Sequence, residues 1–185
     1  MPLGAGGHFV RLNGRAYEAI AAAIERRPAE DLYHSALEVR VSGGRYTIEQ
    51  SPAGPHGGER GVVAVGAVGS RRAGRLRIFR YEIRRWREGE IPDIDEAVES
   101  PRRIAAGEAP AMRVLEAAAE VPTPVWGRDE LRAGEMWNSN SVIAWILSRA
   151  GIDAGRIEPP TGGRAPGWRA GVVVAGRSGE GPARQ

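Results

Sequence analysis

Between Leu32 and Val41 the chain alternates in a way that suits an extended backbone. Leu37, Val39 and Val41 fall on one side, and His34, Ala36, Glu38 and Arg40 fall on the other. Successive side chains of a strand point to opposite faces, so period two predicts a strand with one face in a core. Ser42-Gly43-Gly44-Arg45 is turn chemistry, and Tyr46-Thr47-Ile48-Glu49 is the expected return strand. A hairpin here commits the chain to an antiparallel sheet.

The remaining segments place helices around that sheet. His8-Phe9-Val10-Arg11-Leu12 is a short strand candidate, and Tyr17, Ile20, Ala21 and Ile24 have helical spacing before Pro28. Ser51 to Arg60 is rich in Gly and Pro and is expected to be a loop. Gly61–Val68 reads as a short buried strand and Arg75–Trp86 as a long, partly exposed one. Asp93–Val98 has room for a helical turn. Met112–Ala119 reads as a helix that ends ahead of Val121-Pro122. Asn138–Ala150 is the clearest helix, with Asn138 as N-cap and Gly151 as its stop. Pro159–Trp168 is expected to be a loop and Ala170–Ala175 a last strand. Strands with helices that do not strictly alternate predict an α+β fold, an antiparallel sheet with packed helices. A length of 185 residues suits one domain, taken as 1–175, with 176–185 as a disordered tail.

Composition removes several kinds of chemistry. There is no cysteine, which excludes disulfides, thiolate metal sites and a cysteine nucleophile. His8, His34 and His56 share no metal-ligand spacing, so no metal is expected, and no cofactor is implied. No apolar stretch reaches the ~20 residues of a membrane span, and the start lacks the pattern of a signal peptide. The expectation is a cytoplasmic protein. Every basic residue is Arg, and the net charge is only +3, so the balance does not itself point to a polyanion.

Chemistry is most concentrated at Trp137-Asn138-Ser139-Asn140-Ser141. With Asn138 as cap, Ser139 takes the first helical position, where unpaired N–H groups and the helix dipole favour negative charge. A serine hydroxyl still needs a base, and His34 is the candidate. The same four polar residues are equally good capping chemistry with no further role. Asn140 and Ser141 are candidate oxyanion donors or simple first-turn polar residues. Trp137 is a candidate hydrophobic staple before the cap or a wall of the cleft.

Tyr33-His34-Ser35-Ala36-Leu37-Glu38-Val39, followed by a hairpin and later by Asn138-Ser139-Asn140-Ser141-Val142-Ile143-Ala144-Trp145-Ile146-Leu147, resembles the circularly permuted papain-like superfamily. The relatives in question are the PPPDE peptidases and the lecithin retinol acyltransferase-like and NlpC-like proteins. The likeness covers roughly residues 32–50 and 110–150. It implies a permuted papain-like fold with His34 as the catalytic base and Ser139 as the nucleophile. It places Ser where the family has Cys, and a hydroxyl is far harder to activate than a thiol. The activity implied is hydrolysis or acyl transfer on an amide or ester, with a peptide, lipid or small amide or ester as substrate. The alternative is a catalytically inactive relative that binds such a partner. A later Pro166-Gly167-Trp168 also fits the likeness. Glu49 is the polar residue of the return strand that would orient the imidazole. A two-residue turn at Gly43-Gly44 sets Glu49 opposite Glu38 rather than His34.

One further signal competes. Arg71, Arg72, Arg75, Arg77, Arg80, Arg84, Arg85 and Arg87 interleave with Phe79, Tyr81 and Trp86, as in a nucleic-acid face. Glu82, Glu88 and Glu90 dilute it, and a strand with a solvated arginine face is the commoner outcome.

Overall fold

The alternating segment folds as a hairpin. β2 (Leu37–Val41) returns as β3 (Gly44–Pro52), with Leu37 opposite Ile48 and Val41 opposite Gly44. The turn is therefore Ser42-Gly43, one residue earlier than the sequence suggested. Ser42 is anchored there, because its N–H and Oγ both donate to the Glu108 carboxylate. The computed structural model describes residues 26, 28–53, 61–91 and 94–177. The strand expected at His8–Leu12, the helix expected before Pro28, His56 and the tail beyond Arg177 lie outside the described residues.

The run expected as one strand from Leu32 is divided. β1 (Asp31–Leu32) pairs in parallel with β6 (Gly163–Arg164), and the Tyr33 N–H donates to Arg164 O at 2.8 Å. Residues 34–36 then cross to the main sheet without strand pairing. The break falls where the chain changes hydrogen-bonding partners. A side chain at Gly163 would overlap the Tyr33 ring, 2.0 Å from an ideal Cβ, so glycine is needed at this crossing.

The main sheet has the order β2-β3-β5-β4 and is antiparallel throughout. β4 (Val62–Ala67) is half-buried at the edge, not the buried strand expected. β5 (Arg80–Arg87) lies between β3 and β4, with Tyr81 to Arg84 buried. The long, partly exposed strand expected from Arg75 is corrected on two counts. Residues 73–75 and 77–79 form two short 3₁₀ turns, and the strand after them is interior. Its charged residues hid this. Arg84 bonds Glu49 at 3.1 Å and Glu82 at 3.0 Å, and all three are buried on the face opposite Ile48 and Ile83. A buried guanidinium survives when it is paired and hydrogen-bonded.

Three helices are described. α1 (Glu108–Ala119) begins a turn earlier than expected, with Pro110 accommodated in its first turn. α2 (Ser139–Arg149) is buried from Ser139 through Leu147 and is the central helix. Gly151 at φ +80° ends it, with Gly151 N–H donating to Ser148 O and Ile152 N–H to Leu147 O. α3 (Trp168–Arg177) replaces the strand expected at Ala170–Ala175 and runs into the segment expected as tail. Its last residue, Arg177, is tied to the carbonyls of Leu131 and Arg132. Ala170, Gly171, Val174 and Ala175 form its buried stripe. Gly171 lets α3 approach α2 so closely that an ideal Cβ would lie 2.2 Å from Ser141 O. Val39, Ile48, Tyr81, Ile83, Val142, Ile143 and Ile146 share the core between sheet and helices.

Candidate functional site at the start of the central helix

Asn138 caps α2 as the sequence predicts. Its Oδ1 accepts from the N–H groups of Asn140 at 2.9 Å and Ser141 at 3.3 Å. Ser141 Oγ accepts in return from the Asn138 N–H at 3.1 Å, which completes a reciprocal capping box. Two first-turn donors are thus spent on the cap. The Ser139 N–H is left without a hydrogen bond among the described residues.

The side chains of the motif hold a second segment against the helix. The Asn138 and Asn140 amides both donate to Pro166 O, at 2.8 Å and 3.0 Å. Ser141 Oγ donates to Gly167 O at 2.7 Å. Gly167 sits at φ +81°, where an ideal Cβ would be 2.6 Å from both Asn138 Oδ1 and Ser141 Oγ. Only glycine fits this contact. Asn-Ser-Asn-Ser and Pro-Gly-Trp are two halves of one interlock. Trp168 finishes it by donating its indole N–H to Ala154 O at 2.9 Å.

Asn140 also reaches the histidine segment. Its Nδ2 donates to Tyr33 O at 2.9 Å. His34 follows Tyr33 directly, so the start of α2 and the half-buried His34 share one neighbourhood. Ser139 is only 5% exposed, and its Oγ makes no hydrogen bond among the described residues. It is the one member of Asn-Ser-Asn-Ser whose side chain the interlock does not use.

The other candidates are placed as follows. Glu49 is held by Arg84. The observed register, Glu38 opposite Thr47, corrects the expected pairing of Glu49 with Glu38. Asn138, Asn140 and Ser141 are buried and engaged within the protein. Trp137 is buried in the core with its indole N–H unpartnered, and Asn140 Oδ1 is likewise buried without a hydrogen bond. Trp145 is a core residue too, with the Arg149 guanidinium 5.9 Å from its ring centre.

The expected arginine face is largely consumed by the fold. Arg84 is buried, Arg85 donates to Leu115 O, and Arg80 and Arg87 donate to the carbonyls of Gly74 and Gly43. Tyr81 is fully buried, edge-on to Trp126, with its hydroxyl on Pro124 O. It is closed to base stacking. Among the described residues no cluster of His, Asp or Glu is arranged to hold a metal, and no helix is long and apolar enough to cross a membrane.

Sequence reasoning found the cap but missed the Pro166-Gly167 turn as its partner. The signal was present in the run of Asn and Ser side chains, which offer more hydrogen-bonding groups than one cap uses. No protein-family model matches this chain, and no curated protein or solved structure matches it.

Proposed function

We propose that the protein is a serine-dependent hydrolase or acyltransferase of circularly permuted papain-like fold, acting on an amide or ester bond. The observation that supports this best is the bond from the Asn140 amide to Tyr33 O, which ties the residue before His34 to the helix start that carries Ser139. In the proposed reaction His34 takes the proton from Ser139 Oγ as the oxygen attacks the substrate carbonyl carbon. The oxyanion is stabilised by the Ser139 N–H and the positive end of α2. His34 then gives the proton to the leaving amine or alcohol, and water or an acceptor hydroxyl or amine attacks the acyl-serine. Glu49 is the carboxylate proposed to orient the imidazole.

A second reading has its own support. Asn138 already occupies the N–H groups of residues 140 and 141, and the nucleophile position holds a hydroxyl rather than a thiol. Those facts suit a papain-like domain without catalysis that binds a peptide, lipid or protein.

A fluorophosphonate probe separates the two. The enzyme is labelled, and labelling disappears in both Ser139→Ala and His34→Ala while far-ultraviolet circular dichroism is unchanged. Folded protein that takes no label favours the binding domain. Because the chain has no cysteine, Ser139→Cys adds a single thiol whose ionisation is followed by thiolate absorbance. Next to His34 and a helix N-terminus it should titrate below the ordinary ~8.5, and His34→Ala should move it back up. A thiol that titrates at or above the ordinary value refutes the proposed pairing.

A further inference from the structure

The segment between β4 and β5 carries exposed apolar side chains among the described residues. Leu76 is 60% exposed, Ile78 80% and Phe79 41%, and Val65 on the neighbouring edge strand is 47% exposed. They lie among Arg71, Arg72, Arg75, Arg77 and Arg80, and no Asp or Glu occurs from Gly61 to Tyr81. Arg71 pairs with Glu130 at 3.0 Å, and Arg80 is turned onto the Gly74 carbonyl. Arg72 and Arg75 are exposed and enter no ion pair among the described residues.

From this arrangement we infer that residues 71–79, with Val65, form a docking surface for an anionic lipid bilayer. Apolar side chains suit the boundary between headgroups and acyl chains, and arginines beside them meet the anionic headgroups. A nucleic acid would need several stacking aromatics, yet residues 71–79 offer one, Phe79, while Tyr81 is buried and Arg85 and Arg87 are tied into the fold. A stable protein interface engages roughly 20–30 residues a side with matched shape, whereas this patch has ten, residues 71–79 and Val65. A bilayer demands no shape match. The inference is independent of any chemistry at Ser139.

The test is co-sedimentation of the full chain with phosphatidylcholine vesicles, with and without phosphatidylserine. Binding is expected only to the anionic vesicles and should weaken with salt. Ile78→Asp should reduce partitioning about tenfold, because an inserted apolar side chain is replaced by a charge repelled by the headgroups. Arg72→Glu with Arg75→Glu should reduce it at least about 25-fold, at roughly fivefold per arginine. Neither change should alter the thermal midpoint by more than about 2 °C, since the residues are exposed. Absence of binding overturns the inference, and so does equal binding to neutral vesicles. Retention of binding in Ile78→Asp, RNA binding in place of vesicle binding, or a dimer that this variant converts to monomer would also overturn it.

Discussion

Gly167→Ala tests whether the helix start and the Pro166-Gly167 turn are interlocked as described. Two separable costs follow from the structure. The first is conformational: at φ +81° an alanine is held in the left-handed region, at about 1 kcal/mol. The second is steric. The added methyl would meet Asn138 Oδ1 and Ser141 Oγ at 2.6 Å and Met136 O at 2.7 Å. These are atoms of the cap and its approach, held by packing, so the turn must retreat from the helix. Retreat stretches Ser141 Oγ to Gly167 O and the two amide bonds to Pro166 O. Losing two of these three buried hydrogen bonds adds about 2–3 kcal/mol. The sum is about 3–4 kcal/mol, or roughly 10 °C in thermal midpoint for a chain of this size.

The control is Gly134→Ala. Gly134 has a similar φ of +89°, and nothing lies within 4 Å of its ideal Cβ. It carries the conformational cost without the clash and should lose about 1 kcal/mol. Urea unfolding of both variants, with the slope checked for constancy, gives the difference directly. If Gly167→Ala loses no more than Gly134→Ala, the interlock is not what requires glycine.

Two further perturbations probe charges far from the helix start. Arg84→Ala leaves the buried carboxylates of Glu49 and Glu82 without their shared guanidinium and should destabilise by about 3–5 kcal/mol in the same urea assay; a loss below about 1 kcal/mol would show that the trio is hydrated rather than buried. Glu130 is held below its ordinary pKa of 4.5 by the hydrogen bond from the Arg71 side chain, then by the Val125 N–H. A lowered folded-state value contributes stability above the unfolded pKa that is lost as pH falls through the folded one. Glu130→Gln should therefore be less stable than the parent near neutral pH, with the gap closing below about pH 4.5; a gap that persists at low pH would assign the loss to packing instead.

The parts of the fold that were legible depended on local signals. The start and stop of α2 are written in Asn138 and Gly151, each next to the helix end it governs. The hairpin was legible from alternation, but its turn lies at Ser42-Gly43, where Ser42 bonds Glu108 from 66 residues away. β5 was misread because its charges are paired with each other and with Glu49, so a polar sequence hides a buried strand. α3 was misread because Val172-Val173-Val174 favours a strand by local preference, and packing on α2 overrides that preference. The helical stripe of Ala170, Gly171, Val174 and Ala175 was the competing signal in the same residues. At the candidate site the capping role of Asn138 was legible. The reach of Asn140 to Tyr33, across 107 residues of chain, was not.

The interlock also bears on how the two functional readings should be weighed. Three of the four residues in Asn-Ser-Asn-Ser have structural work: Asn138 caps and binds Pro166, Asn140 bridges Tyr33 and Pro166, and Ser141 joins the cap to Gly167. Ser139 has none of these bonds. An alanine at that position would leave the cap, the turn and the contact to Tyr33 unchanged, so nothing in the fold demands a hydroxyl there. Yet the residues on either side are fastened both to the turn and to the histidine segment, which fixes the backbone of Ser139 from two directions. A nucleophile benefits from that arrangement, because a group already held in position loses little freedom when it reacts. A binding surface gains less from one immobile hydroxyl that is nearly buried. The same bonds that make Asn138, Asn140 and Ser141 structural therefore hold Ser139 in place, which fits the proposed nucleophile better than a purely binding role.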